Sequence, residues 1–192
     1  MVLGICGKYC SGKSEAARIL GDEGWQVIDA DALGHETLDE HSQAVAAAFG
    51  RDILNPDGKV NRRKLGSIVF KNSAKLKTLE AIVHPPVKEK IREILAGAKG
   101  RILIHAALLY GGGVDEICDR ILIIEAPLLD RINRGLSRDN LSITAVLRRI
   151  WKQRSLYPQS ALKAADTITV RNSGSKGSLR EAVLAATASF KE

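Results

Sequence analysis

Short apolar runs alternate with longer amphipathic stretches along this chain. The apolar runs lie at residues 2–6, 25–28, 102–106, 121–124 and 167–170. Runs of this length, separated by helical patterns, are typical of strands in a parallel sheet that is covered on both faces. The pattern therefore predicts an α/β fold, with a parallel sheet flanked by helices.

The stretch between the second and third runs has a helical pattern and no further strand pattern. Asn61 can cap one of its helices, and Asn72 or Ser73 can cap the next. The pair Pro85-Pro86 predicts that one helix ends and another begins, because proline lacks the N–H group that a helix interior uses. We expect an inserted helical lobe at about residues 32–98.

A second insertion is predicted at about residues 131–157. Its polar stretch at residues 137–140, followed by a helix from about Ser142, is typical of a mobile lid. Ser178 and Glu181 have the spacing of a capping box and predict the start of the last helix. With 192 residues, the chain is long enough for a single domain that carries these two insertions.

The segment GKYCSGKS, residues 7–14, lies between the first apolar run and the first helical pattern. It matches the G-x-x-x-x-G-K-[ST] pattern of phosphate-binding loops. Glycines let the backbone fold around an anion, so that its N–H groups and the start of the next helix point at the phosphates. Lys13 adds a positive charge, and Ser14 offers its hydroxyl to Mg²⁺. The sequence therefore predicts a nucleoside triphosphate site formed by Gly7, Lys8, Tyr9, Cys10, Ser11, Gly12, Lys13, Ser14 and Glu15.

Two carboxylates, Asp29 and Asp31, follow the second apolar run. Open α/β sheets bind ligands at the carboxyl ends of their strands. In extended backbone both side chains would project to the same side, and one of them could accept a proton from an attacking hydroxyl or orient it. Either carboxylate can instead cap the next helix, and Asp29 is the better candidate for that role.

The net charge of +7 is concentrated in residues 131–154. A run of charge is commonly a solvated helix face, and a basic chain can also bind nucleic acid. Beside a triphosphate site, arginines fit phosphoryl transfer better, because they neutralise the migrating charge. Aromatic residues, on which single-stranded nucleic acid stacks, make up only 4% of the chain, so no nucleic-acid partner is predicted. The cations of this segment are Arg131, Arg134, Arg138, Arg148, Arg149, Lys152 and Arg154, against the acid Asp139.

The cysteines Cys6, Cys10 and Cys118 have neither the spacing of a zinc site nor that of a disulfide framework, which indicates reduced thiols. No apolar stretch approaches the length of a membrane span, and the first strand pattern begins at once, without a charged leader. The sequence therefore predicts a cytoplasmic protein without a membrane partner. It leaves the oligomeric state open.

Sequence motifs along nearly the whole chain resemble those of the dephospho-CoA kinase family. They are GKYCSGKS from Gly7, VIDADALGHE from Val27, FG from Phe49, DGKVNRRKLGSIVF from Asp57, LEAIVHPPV from Leu79, ALLYGG from Ala107, Arg134 and Arg138 four residues apart, Gln153, and ADTITVRNSG from Ala165. The resemblance implies a five-stranded parallel core of the P-loop nucleotide-kinase kind, with a helical substrate lobe and a lid. It also implies an enzyme that uses ATP and Mg²⁺ to phosphorylate the ribose 3′-hydroxyl of dephospho-CoA, the last step of coenzyme A biosynthesis.

The resemblance further implies roles for single residues. Lys13 matches the family's phosphate-binding lysine, and Ser14 matches its metal-binding serine. Asp31 matches the acidic residue at the acceptor hydroxyl. Arg134 and Arg138 match the lid arginines, so that catalysis is expected from Lys13, Asp31 and these two arginines.

Substrate contacts are implied in the same way. Arg62 and His84 fall on signature positions of the substrate lobe and are expected to bind dephospho-CoA. Asn172 and Gly174 lie in the loop that borders adenine. Arg62 can also be an ordinary surface arginine, and His84 can satisfy a helix end before the prolines.

Several positions depart from the family's pattern. Cys10 stands where a glycine is usual, which requires a backbone angle that a residue with a side chain can hold, and Glu15 stands where a small hydroxyl residue is usual. The third-strand segment Asp-x-Pro-Leu-Leu-x-Glu reads HAALLYG, so that His105, Ala107 and Gly111 replace two acids and a proline. A weakened or altered activity therefore stays open.

Two other functions also stay open. One is that of another small-molecule or nucleoside kinase with the same fold. The other is that of a nucleotide-controlled switch or nucleic-acid-binding protein, although the chain lacks the N-K-x-D guanine signature. Nucleotide-dependent retention of nucleic acid that falls steeply with salt would favour that last function.

Overall fold

The computed structural model describes residues 1–107, 109–110, 112–139, 141–153 and 167–190. The chain divides into two units, of which the second is inserted in the sequence of the first. The sheet unit comprises Met1–Ile28 and Ala98–Glu192, and the helical unit comprises Asp29–Gly97.

The described strands form one five-stranded sheet. They are β1 (Val2–Gly7), β2 (Gln26–Asp29), β3 (Ile102–His105), β4 (Arg120–Glu125) and β5 (Thr167–Arg171), in the spatial order β2-β3-β1-β4-β5. β1 pairs in parallel with β3 and β4, and β4 pairs in parallel with β5. All five strands predicted from the apolar runs are present within one or two residues of the expected bounds, and the α/β fold is confirmed.

Helices account for most of the remaining described residues. In chain order they are α1 (Lys13–Asp22), α2 (Ala30–Glu40), α3 (Ser42–Phe49), α4 (Arg62–Val69), α5 (Ser73–Gly97), α6 (Leu128–Asp139), α7 (Ile143–Lys152) and α8 (Lys176–Thr187). Helices α2 to α5 form the helical unit, and the others belong to the sheet unit. Among the described residues, no helix is both long and apolar enough to span a membrane.

The core of the sheet unit lies where α1 and α8 pack against the sheet. Leu3 and Ile5 of β1 and Leu20 of α1 are fully buried, and they share one cluster with Leu122 and Val183. Each such side chain contributes roughly 1.5–3 kcal/mol through burial. This packing fixes the end of β1 relative to the start of α1, between which the predicted phosphate loop lies.

The helical unit has its own core. Leu38 of α2, Val45 of α3 and Leu65 of α4 are buried together with Ile53 and Val60. An antiparallel bridge between residues 54 and 60 closes the turn before α4. A core of this kind lets the segment form a compact unit by itself.

The prolines do not divide α5, and the predicted helix boundary at Pro85-Pro86 is wrong. The helix is continuous from Ser73 to Gly97 with both prolines inside it. Leu79, before the prolines, packs against the core of the unit, and Val87, after them, is buried. Tertiary packing of one apolar face therefore outweighs the local cost of the missing N–H groups.

The predicted caps were confirmed in part. Asn61 Oδ1 accepts from Lys64 N at 3.0 Å at the start of α4. Helix α7 begins at Ile143, close to its predicted start, and Ser142 Oγ accepts from the N–H group of residue 145 at 3.3 Å. The start predicted for the last helix is wrong, because Ser175 is its N-cap and accepts from Ser178 N at 3.2 Å.

The region predicted to be a lid contains most of α6 and α7. Residues 137–139, predicted to be an irregular stretch, instead end α6. Residues 140 and 154–157 lie outside the described part of the chain. The three cysteines are free thiols, and burial raises the pKa of Cys118 to about 12.

Candidate nucleotide-binding site

The loop at residues 7–14 connects β1 to α1. Ser11 N donates to Lys8 O at 3.0 Å, which closes a tight turn within the loop. Gly12 is the N-cap of α1, with a φ of 101°, and Lys13 is the first helical residue. The first N–H groups of a helix have no carbonyl partner in the helix, and together with the helix dipole they favour an anion at this point.

Both glycines of the loop pattern are required for steric reasons. A Cβ atom on Gly7 would lie 2.4 Å from Ser11 Oγ, and one on Gly12 would lie 2.2 Å from Asn172 Nδ2. The positive φ of Gly12 is also one that residues with side chains rarely adopt. Other residues at these positions would displace the side chains of Ser11 and Asn172.

Cys10 shows how the loop accommodates a side chain where the family usually has glycine. Its φ is 57°, and no other residue with a side chain among those described has a positive φ. A left-handed backbone costs such a residue roughly 1–2 kcal/mol. The loop therefore keeps a turn of the left-handed kind despite the substitution, and the Cys10 side chain is buried.

Asn172 fastens the loop to the end of β5. Its N–H group donates to Glu125 O at 2.6 Å, and its Nδ2 donates to Ser11 O at 2.8 Å. Arg134 donates through Nη2 to both oxygens of Asn172 at 3.3 Å. Its Nη1 lies 3.5 Å from Cys10 O and 3.4 Å from Ser11 O. Arg134 thus joins α6 to the carbonyl side of the loop and uses none of its N–H groups.

The loop forms one wall of a cavity of about 680 Å³. Its lining includes all the residues that the sequence predicted to bind the nucleotide, namely residues 7–15, Asn172 and Gly174. Arg134 and Arg138 of α6 also line it. A volume of this size is typical of a site for a small ligand or cofactor.

Further lining residues were missing from the predicted set. Gln153 lines the cavity, as do Lys176 and Leu179 in the first turn of α8. Lys176 could have been predicted from its position two residues after Gly174, because the first turn of a helix that follows a binding loop also faces the ligand. It was missed because the sequence predicted that α8 starts at Ser178.

Tyr9 connects the loop to α6 and α7 through its backbone and its side chain. Its N–H group donates to Gln153 Oε1, and its carbonyl accepts from Arg131 Nε at 2.8 Å. Its hydroxyl donates to Asp139 Oδ2. Burial and this hydrogen bond raise the pKa of the Tyr9 hydroxyl, so it remains a donor at neutral pH.

Asp139 also binds two arginines. Its Oδ1 accepts from Arg138 Nε at 2.7 Å, and its Oδ2 accepts from Arg149 Nη1 at 2.9 Å. Hydrogen bonds from Arg138 and Tyr9 lower the pKa of Asp139, and the same pairing raises the pKa of Arg138. The carboxylate is therefore ionised throughout the neutral range.

His105 lies close to the serine predicted to bind metal. It ends β3, and its Nε2 is 3.5 Å from Ser14 Oγ. Ala107, at the position of the family's proline, lines the nucleotide cavity. Gly111, at the position of an acid, lies outside the described residues.

The two carboxylates after β2 differ in their local structure, and the extended arrangement predicted for them is wrong. Asp29 ends β2 and caps α2, since its Oδ1 accepts from Ala32 N at 3.0 Å. Asp31 lies in the first turn of α2. The chain turns into the helix directly after Asp29, so the alternation of strand side chains does not reach Asp31.

Arg62 and His84 both lie in the helical unit. Arg62 begins α4, and its Nη2 donates to Asp39 Oδ2 at 2.9 Å. His84 lies within α5, so it does not satisfy a helix end, as one interpretation of the sequence had it.

Comparison with known proteins identifies the family. A model of the dephospho-CoA kinase family matches residues 1–177. The chain is similar to the dephospho-CoA kinase of Carboxydothermus hydrogenoformans, with 35% identity over 95% of this chain and 91% of the relative. It is 31% identical to that of Fusobacterium nucleatum, over 90% of each chain. The chain belongs to the dephospho-CoA kinase family.

Solved structures agree with this family. A Thermus thermophilus protein of known structure is 30% identical, with a TM-score of 0.83, over 100% of this chain and 98% of that one. The structure of the dephospho-CoA kinase from Campylobacter jejuni is 26% identical, with a TM-score of 0.72, over 98% and 96% of the two chains. The resemblance found in the sequence is confirmed, and with it the predicted class of activity, the ATP-dependent phosphorylation of dephospho-CoA.

Proposed function

We propose that this chain transfers the γ-phosphoryl group of ATP to the ribose 3′-hydroxyl of dephospho-CoA, with Mg²⁺ as cofactor. The observation that carries the proposal is the phosphate loop in a member of this family, opening into a cavity that two arginines line. The proposal also assigns a role to each of the residues that line or adjoin the site.

ATP binds with its phosphates in the loop. The N–H groups of Tyr9 and Ser11 are used within the protein, and those at the start of α1 donate to the phosphate oxygens. Lys13 adds a full positive charge. Asn172 and Gly174 border the adenine. Arg134 supports the loop from its carbonyl side, and this contact keeps the N–H groups directed at the ligand.

The residues around Ser14 fit a hydrated Mg²⁺ ion. Magnesium takes hard oxygen ligands, keeps several waters and is usually completed by substrate phosphates. The Ser14 hydroxyl is exposed at the start of α1 beside the loop and supplies such an oxygen. When bound, the ion neutralises charge on the phosphates.

The acceptor binds through the helical unit. Arg62 and His84 bind the anionic part of dephospho-CoA, and Asp39 holds the Arg62 guanidinium through a hydrogen bond of 2.9 Å. Asp31 orients the attacking hydroxyl and accepts its proton. We assign this role to Asp31 and not to Asp29, because the Asp29 carboxylate is used as the cap of α2.

Charge neutralisation and positioning account for most of the catalysis. The transition state of phosphoryl transfer is loose, with charge spread over the transferred oxygens. Lys13 and Arg138 stabilise that charge, and α6 and α7, as the lid at 131–157, keep water from competing with the acceptor.

We further infer a cytoplasmic enzyme that needs no nucleic acid. The support is that arginines of the basic segment bind other groups of the same chain. Arg131 and Arg134 bind loop carbonyls, and Arg138 and Arg149 bind Asp139. These arginines are therefore accounted for without a polyanionic partner.

ADP release with a panel of acceptors tests this function. Dephospho-CoA, adenosine and AMP all carry an adenine-linked ribose, so they differ in the rest of the molecule. We expect kcat/KM for dephospho-CoA to exceed that for the other two by roughly 10²-fold or more. Omission of Mg²⁺ is expected to abolish turnover with every acceptor. Equal turnover of adenosine would favour a nucleoside kinase instead.

A further inference from the structure

We propose that Tyr9 is a positioning residue, which acts through Asp139 to hold the Arg138 guanidinium at the nucleotide cavity. The inference rests on the proposed function, in which Arg138 contacts the phosphates of ATP. Tyr9, Asp139 and Arg138 all lie in the sheet unit.

Tyr9 is fixed more firmly than its place in a loop would suggest. Gln153 accepts from its backbone N–H group, and Arg131 donates to its carbonyl. These two partners lie beyond α7 and in α6, so they secure the loop backbone on both sides of the ring. The backbone from which the Tyr9 ring extends is consequently held in place.

The ring packs closely on α6. A Cβ atom on Gly135 would lie 3.1 Å from Tyr9 Cε1 and 3.0 Å from Val146 Cγ1, so the ring and α7 approach α6 closely at this glycine. The guanidinium groups of Arg138 and Arg149 each lie 5.5 Å from the centre of the ring. At this distance both cations are attracted by the ring face.

The hydroxyl extends this contact to the carboxylate between the arginines. Asp139 Oδ2 accepts from the Tyr9 hydroxyl and from Arg149 Nη1. Arg138 donates to the same carboxylate through Nε at 2.7 Å and Nη2 at 3.2 Å. The Tyr9 hydroxyl therefore fixes the orientation of the Asp139 carboxylate, and this carboxylate in turn orients Arg138.

The cluster of Asp139, Arg138 and Arg149 keeps a net positive charge that can bind the ligand. One carboxylate faces two guanidinium groups, and Asp139 uses the Nε edge of Arg138. A guanidinium has five N–H donors, so others remain for phosphate oxygens. Tyr9 and Arg138 line the nucleotide cavity, whereas Asp139 is absent from its lining. Asp139 thus acts from behind Arg138.

The affinity for MgATP, measured by calorimetry without an acceptor, tests the proposal. Tyr9→Phe removes only the hydroxyl and is expected to weaken MgATP binding about three- to tenfold. Asp139→Asn is expected to have a similar effect. In an Arg138→Ala background, Tyr9→Phe should change the affinity less than about twofold, because the group on which Tyr9 acts is gone. Tyr110→Phe, which removes a hydroxyl outside the cavity lining, is the matched control and should bind MgATP like the wild type.

Two results would overturn the proposal. The first is an equal loss of affinity from Tyr9→Phe with and without Arg138, which would give the hydroxyl a merely structural role. The second is unchanged or tighter binding in Tyr9→Phe. Because the measurement needs no acceptor, it stays informative if dephospho-CoA proves not to be the substrate. For Tyr9→Phe, steady-state kinetics then separates any effect on kcat from the effect on KM for ATP.

Discussion

Lys13 is the residue on which ATP binding and phosphoryl transfer both depend in this proposal. It begins α1 and lines the nucleotide cavity, where its charge adds to that of the helix start. We expect Lys13→Ala to lower ATP-dependent turnover by roughly 10²-fold or more while the protein stays folded. Turnover and circular dichroism of the purified variant measure both properties.

Lys99→Ala is the matched control for Lys13→Ala. Lys99 is exposed in the same unit and does not line the cavity, so its removal should change turnover less than about twofold. Wild-type turnover in Lys13→Ala would show that the loop assignment is wrong. A similar loss in both variants would mean that net charge, and not the position of Lys13, is responsible.

The loop and its cation could be predicted from the sequence because they are local. Gly7, Gly12 and Lys13 form one short pattern, and the steric need for both glycines appears again in the structure. The Tyr9 contacts could not be predicted in this way. Tyr9 and Asp139 are 130 residues apart, and only the packing of α6 beside the loop brings them together.

At the scale of elements, the start of α2 separates two acids that lie two residues apart. Asp29→Ala removes the N-cap and is expected to lower the free energy of unfolding by about 1 kcal/mol. Asp31→Asn keeps the shape of a residue that is not the cap, so its stability should stay within about 0.5 kcal/mol of the wild type. Its kcat should fall roughly 10²-fold, with ATP affinity nearly unchanged. Urea unfolding and steady-state kinetics measure the two effects.

The reverse pattern would contradict these assignments. If Asp31→Asn kept the wild-type kcat, Asp31 would not orient the nucleophile. If Asp29→Ala unfolded at the wild-type urea concentration, its hydrogen bond to Ala32 would not stabilise α2. Asp29→Asn provides a further comparison, because asparagine also caps helices well and should retain most of the stability.

Element boundaries were predictable where one side chain decides them. Asn61 caps α4, as its position before a helical pattern indicated, and α7 begins at Ile143, within one residue of its predicted start. Pro85-Pro86 indicated a boundary that does not exist, because α5 packs along its apolar face against α2 and α4. Local signals therefore failed where long-range packing supplied the larger free energy.

At the scale of the whole molecule, the two units correspond to the two substrates in the proposal. The sheet unit carries the phosphate loop, Asn172 and the two cavity-lining arginines. The helical unit carries Asp31, Arg62 and His84, the residues assigned to the acceptor. The order of strands and helices predicted the sheet, but only the family resemblance indicated the acceptor that the proposal assigns to the helical unit.

The identity of the product tests this account most directly. The pure protein is incubated with MgATP and dephospho-CoA, and the product is analysed by mass spectrometry and by nuclear magnetic resonance at the ribose. We predict one added phosphate, attached to the 3′-hydroxyl, which does not form when Lys13→Ala replaces the wild type. Failure to form coenzyme A by a protein that binds MgATP, or attachment of the phosphate to another hydroxyl, would contradict the account.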